Sequence, residues 1–249
     1  MRPVAETQWR RDPDFIRIAH GSSTIVLHRE IAPHAAEIIA RIGALRRDDE
    51  AGAGNRQSGF RFSLAPDADL YIRRSRRGGM MRFFLDDLFF GASPRPLAEL
   101  DVALRARKRG VPLAEPIGAA IEWAAPLLYR GFFLTRYAPG MTLWEFIRTD
   151  DDPTVRAHVL GEANAAIRKM HECGLFHADL NLHNLFVTTA RESFAVIVLD
   201  LDKARLYDTA LSPAMRARNF ARLGRSARKL DPEGRYLDAA ALSILGVRE

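Results

Sequence analysis

The sequence predicts an α+β protein in two parts, mostly β over residues 1–138 and mostly helical over 139–249. Three observations carry this. Most of the short apolar runs rich in β-branched and aromatic residues, such as Thr24–His28 and Leu127–Arg136, precede Pro139-Gly140. The longest stretches with helical spacing, opening at Asp152 and at Ser212, follow it. Between them, Tyr137-Ala138-Pro139-Gly140 is a turn signal that marks the boundary.

In chain order, Phe15–Ala19 and Thr24–His28 read as strands, and Ile31–Leu45 as a short helix. The stretch from Ala51 to Phe62 holds Gly52, Gly54 and Gly59 and leads into a strand. A hairpin whose amides close over phosphates has this composition, which makes Ser58 and Gly59 candidate nucleotide contacts. It departs from G-x-G-x-x-G, and a plain flexible turn fits as well. Leu70–Arg73 is a strand followed by Arg74-Ser75-Arg76-Arg77-Gly78-Gly79. Arg73 and Arg77 are candidate phosphate contacts; Arg74 and Arg76 suit either that role or a solvated basic edge.

Ser93-Pro94 reads as a cap with Pro at the first helical position, followed by Leu97, Leu100 and Leu104 at helical spacing until Gly110. Glu99 on this helix is placed to pair with Arg73, or to lie exposed in a first turn. Ala119–Trp123 and Leu127–Arg136 read as paired strands. Asp152-Pro153 opens the clearest helix, with Val155, Val159, Ala163, Ile167 and Met170 on one face and Gly174 after its end. His171 near that end reads as structural or dipole-compensating. Ser212-Pro213 opens a basic amphipathic helix at about 213–230. Its Arg218, Arg222, Arg225 and Lys229 lie opposite Phe220, Leu223, Ala227 and Leu230.

Composition bounds the function. At 249 residues and 47% apolar content the chain can bury a sizeable core. The first residues lack an apolar stretch, so no secretory signal is expected, and no apolar run reaches membrane-spanning length. The single Cys173 cannot form an internal disulfide, which fits a reducing compartment. The net charge is +6, and Lys203–Arg235 carries nine basic residues against three acidic ones. Such a patch attracts phosphates, anionic headgroups or nucleic acid. A nucleic-acid partner is not expected, because no aromatic residues interleave the basic stripe.

The chemistry concentrates between Phe176 and Lys203. His177-Ala178-Asp179-Leu180-Asn181-Leu182-His183-Asn184 has the H-x-D-L-x-x-x-N order of a protein-kinase-like catalytic loop. In that pattern Asp179 faces the acceptor hydroxyl, and Asn184 and the later Asp200, after the run Val196–Leu199, hold a metal ion. His177 reads as support for the loop, and Asp202 as an aid to the metal or a partner of Lys203.

These blocks resemble the 3-deoxy-D-manno-octulosonic acid (Kdo) kinases of the lipopolysaccharide kinase group, within the protein-kinase-like superfamily. The likeness runs from about residue 50 to 230. It rests on Arg73…Arg77-Gly78-Gly79, Ala98-Glu99 with Gly110-Val111-Pro112, the two acidic loops, and Asn219-Phe220-Ala221-Arg222-Leu223-Gly224-Arg225-Ser226. An Arg in place of the usual phosphate-binding Lys is normal for that group. The resemblance implies a two-lobed fold, with a small mostly β N-terminal lobe and a larger mostly helical C-terminal lobe. It implies transfer of the γ-phosphoryl group of ATP, with Mg²⁺, to the 4-hydroxyl of Kdo on lipid A. The site would be the cytoplasmic face of the inner membrane, with the basic helix on the anionic surface. A kinase for another small hydroxylated acceptor, or a silent nucleotide-binding scaffold, are the alternatives.

Overall fold

The computed structural model describes residues 8–50, 59–64, 69–75, 87–190 and 193–247. Ser58 and Arg77, with Arg76 and the Gly-rich stretch before Ser58, lie outside the described residues. The chain is of mixed α and β structure, with antiparallel sheets, and divides into two compact units. One comprises Thr7–Leu104 and Glu115–Tyr137; the other includes Arg105–Ala114 and Ala138–Glu249.

The first unit is a twisted antiparallel sheet of β1 (Phe15–His20), β2 (Ser23–His28), β3 (Gly59–Ser63), β4 (Asp69–Arg74), β5 (Phe89–Phe90), β6 (Pro116–Ala125) and β7 (Leu128–Arg136). Their order is β1-β2-β6-β7-β4-β3, with β5 also paired to β7. Helix α1 (Ala35–Glu50) covers one face: Ile38 and Ile42 pack with Ile25, Leu27, Leu70, Ile72, Ile117 and Leu134. The period of two puts Arg73 on the face opposite Ile72, where helix α2 (Arg95–Lys108) brings Glu99 to it.

Two helix starts differ from expectation. Pro33 and a short 3₁₀ turn, Ala32–His34, precede α1, which therefore begins at Ala35 and runs on to Glu50. Helix α2 begins at Arg95, because the Pro94 carbonyl accepts the first bonds from Leu97 and Ala98, and the Arg95 N–H donates to the Tyr129 hydroxyl. Ser93 therefore does not cap it.

The second unit contains β8 (Gly140–Thr142), α3 (Leu143–Thr149), α4 (Pro153–Glu172), β9 (Leu175–Phe176), β10 (Leu185–Ala190), β11 (Ser193–Val198), β12 (Arg205–Leu206), α5 (Pro213–Leu230) and α6 (Ala239–Ile244). A Thr142–Glu145 capping box starts α3. Asp152 starts α4 by accepting from the Thr154 N–H at 2.7 Å. The stripe Val159, Ala163, Ile167 and Met170 is buried, and α4 packs on β11. Gly174 then leaves α4 at φ +81° and lets the chain pass close to the Tyr207 and Thr209 carbonyls, a space no side chain would fit. Ser212 caps α5 through its bond from the Met215 N–H.

Candidate active site

The second unit assembles the candidate catalytic loop from three short segments. The hairpin β10–β11 pairs Leu185 with Val198. Just beyond that pair, the Leu199 N–H donates to the Asn184 carbonyl at 2.9 Å, which brings the start of the Asp200 loop beside Asn184. The amide nitrogen of Asn184 donates to the Asp179 carbonyl at 2.9 Å. Its Oδ1 is thereby left as the acceptor end of the side chain. Asn181 donates to the same Asp179 carbonyl, and its Oδ1 accepts from the N–H groups of His183 and Asn184. The polar residues of the loop thus close it on itself.

His177 joins the two segments. Its ring is buried, Nδ1 accepts from the Asp179 N–H at 3.2 Å, and Nε2 bonds the Leu199 carbonyl at 2.9 Å. A carbonyl only accepts, so Nε2 carries the proton and the ring is neutral. Burial drives its pKa below the ordinary histidine value, in the same direction. Asp200 has φ +57°, a left-handed conformation that Asp tolerates better than most residues. Its Oδ1 accepts from the Asp202 N–H at 3.4 Å.

Helix α5 supports this assembly along one side. Asn219 is buried; its Nδ2 donates to the His177 carbonyl at 2.6 Å, and its Oδ1 accepts from the His177 N–H at 3.4 Å. The same Oδ1 meets Nε2 of the buried His171 at 3.1 Å. Arg222 reaches Asp179 with Nε at 3.0 Å and Nη2 at 2.5 Å, both on Oδ1. Ser226 Oγ accepts from the Leu182 N–H at 3.4 Å. Asn219, Arg222 and Ser226 are three and four residues apart, one helical face. Residue by residue they meet positions 177, 179 and 182.

In the first unit, Arg73 Nη2 contacts both carboxylate oxygens of Glu99, at 2.6 and 2.7 Å. The register sets Gly59 directly across from Arg73, and Gly59 leaves room for the Tyr71 ring. Arg74, read as phosphate contact or solvated edge, is instead partly buried in an ion pair with Asp87, which Arg130 also meets at 2.7 Å.

Sequence reasoning missed the contacts of Asn219 and Arg222 with the loop. The available signal was a polar file, Asn219-Arg222-Ser226, between the apolar face of α5 and its outer basic stripe.

Asp200 and Asn184 offer the hard oxygen donors that Mg²⁺ takes, one carboxylate and one carboxamide, leaving the remaining positions to phosphate and water. Among the described residues, no group of three His, Cys, Asp or Glu side chains forms a metal cage by itself.

A model of the lipopolysaccharide kinase (Kdo/WaaP) family matches residues 46–240. The chain belongs to that family. Like other lipopolysaccharide kinases, it transfers a phosphoryl group to an alcohol of its acceptor. It is 33% identical over 191 residues to the 3-deoxy-D-manno-octulosonic acid kinase of Xanthomonas campestris pv. campestris (strain B100), covering 73% of this chain and 69% of that one. It is 30% identical over 189 residues to the enzyme of the same description from Xylella fastidiosa (strain M12), covering 75% and 72%. Among solved structures, it is similar to WaaP in complex with acyl carrier protein. There the TM-score is 0.48 at 16% identity, over 79% of this chain and 78% of that chain. No described helix is long and apolar enough to cross a membrane.

Proposed function

We propose that this lipopolysaccharide kinase is a 3-deoxy-D-manno-octulosonic acid kinase, moving the γ-phosphoryl group of ATP to the 4-hydroxyl of Kdo on lipid A. The observation that carries the reading is the bonded circuit of Asp179, Asn184, His177 and Leu199 beside Asp200. Asp179 accepts the proton of the acceptor hydroxyl; that oxygen forms the new P–O bond as the bond to the ADP oxygen breaks. Asp200 and Asn184 hold Mg²⁺. Bound there, Mg²⁺ supplies charge neutralisation at the phosphate oxygens. Arg73, steadied by Glu99, binds the nucleotide, with Gly59, Ser58 and Arg77 at the phosphates. His177, neutral and bonded at both nitrogens, holds the loop and moves no proton. Asp202 supports the metal loop.

We read the two units as the two lobes of a kinase-like fold. The exposed basic residues of α5 suit an anionic bilayer, so the enzyme works peripherally on the cytoplasmic side of the inner membrane. The test is incubation with ATP, Mg²⁺ and Kdo-bearing lipid A, followed by mass analysis for one added phosphoryl group. Asp179→Asn should keep ATP binding and lower turnover by about 10²- to 10⁴-fold. Near-normal turnover would remove Asp179 as the base, and phosphorylation of some other sugar instead would reassign the acceptor.

A further inference from the structure

Arg222, on α5, touches the candidate catalytic loop without being part of its pattern. Its Nε and Nη2 both converge on Oδ1 of Asp179, and among the described residues Oδ2 of Asp179 has no hydrogen-bond partner. One carboxylate oxygen is therefore held by the guanidinium, and the other is left to accept from an incoming hydroxyl. Both side chains stay in contact with solvent, at 45% exposure for Arg222 and 51% for Asp179. The position of the guanidinium is fixed from below. Asn219 and Ser226, three residues before it and four after, pin the same face of α5 to the backbone of residues 177 and 182.

The surroundings bias what binds here. Arg218, one turn earlier, lies over the Phe176 ring at 5.8 Å, and Arg225, one turn later, is exposed. A cation brought to this edge of the helix is repelled and a neutral sugar gains nothing from it, whereas an acid is attracted. A guanidinium presents five N–H donors in a planar fork, so the two N–H groups on Asp179 leave donors over for a second carboxylate.

Resting on the Kdo kinase reading, we propose that Arg222 is the specificity residue that recognises the carboxylate of the sugar-acid acceptor. It spans the base and the acceptor acid, so that recognising the acid also sets the hydroxyl against Oδ2 of Asp179. A sugar lacking the negative charge binds without that alignment.

The experiment compares Kdo-bearing lipid A with the same acceptor whose Kdo carboxylate is converted to an amide, using the full chain with ATP and Mg²⁺. Wild type should favour the acid by about 10- to 100-fold in kcat/KM, the range of one charge-assisted hydrogen-bonded contact. Arg222→Gln should bring the acid down to the level of the amide, through a raised acceptor KM and, from the lost alignment, a lowered kcat, with the KM for ATP unchanged. Arg222→Lys should restore part of the preference, since an ammonium keeps the charge and loses the fork. If Arg222→Gln does not fold, judged by thermal melting, the Lys variant decides: an undiminished acid-to-amide ratio overturns the proposal. Equal use of acid and amide by wild type overturns it while leaving the kinase reading intact, as does a Gln variant that slows both acceptors alike or keeps the wild-type ratio. Failure of wild type to phosphorylate either acceptor overturns the Kdo reading and this inference with it.

Discussion

Two of the arginine–carboxylate pairs among the described residues, one in each unit, differ in their exposure to water. In the sheet unit, Glu99 is 1% exposed and Arg73 19%, and the guanidinium also lies 5.9 Å from the Phe133 ring centre. In the helical unit, Arg222 and Asp179 are each about half exposed. Removing one partner of a buried pair leaves a charge where water cannot reach it, so the pair is a fixture of the fold. An exposed pair trades its partner for water or another ion at little cost. The first arrangement suits a group that must stand still, the second one that must stay open to an incoming molecule.

The largest effect that tests this contrast is Arg73→Met. It removes the opposing charge from buried Glu99 and should cost about 3–5 kcal/mol of unfolding free energy, read from urea denaturation. A loss below about 1 kcal/mol would place this pair with the exposed kind.

His171 sharpens the contrast from another side, being buried like Glu99 but with no opposite charge to offset its burial. Burial, more than the opposing Asn219 hydrogen bond, lowers its pKa from 6.5 to about 4, and the nearby Arg216 charge acts in the same direction. The folded ring is thus neutral across a range where the unfolded ring takes up a proton. Its contribution is fully present above pH 6.5 and is lost as pH falls toward 4, on the order of 3 kcal/mol in all. His177, also lowered, adds in the same direction. Denaturant midpoints taken between about pH 7 and pH 4.5 should fall on acidification, and His171→Gln should flatten the slope. A midpoint independent of pH there would show that neither ring is held neutral.

The smallest effect belongs to Arg222. Substitution by Met should change unfolding free energy by no more than about 1 kcal/mol, in the same denaturation assay that registers Arg73→Met. A loss of several kcal/mol would make the exposed pair structural and erase the distinction.

What the sequence revealed follows how local each signal is. Asp179 and Asn184 are five residues apart, so their spacing alone carried the loop pattern. The caps at Asp152 and Ser212 are equally local, and both do the work their residue types suggest. The Arg73–Glu99 pair spans 26 residues, yet a strand ending in Arg73 and a helix carrying Glu99 were both legible, and of the two readings of Glu99 it is the pairing that the structure shows. Arg222 meets Asp179 across 43 residues. Helical periodicity assigns it only to a polar face, and a polar face in sequence does not distinguish solvent from a neighbouring loop. Asn219 was obscured for a related reason: its amide is buried because it replaces backbone partners for His177, a need visible only once that loop is in place. The start of α2 moved because a distant hydroxyl, Tyr129, took the helix-start N–H that Ser93 was expected to serve.

Asn219 binds both the N–H and the carbonyl of His177, although it is made 42 residues later. During synthesis, then, the segment bearing Asp179 emerges well before the strut that locks it. A nascent chain that stops short of α5 carries the Asp179 loop with its internal bonds but without the Asn219 bonds that tie it to that helix.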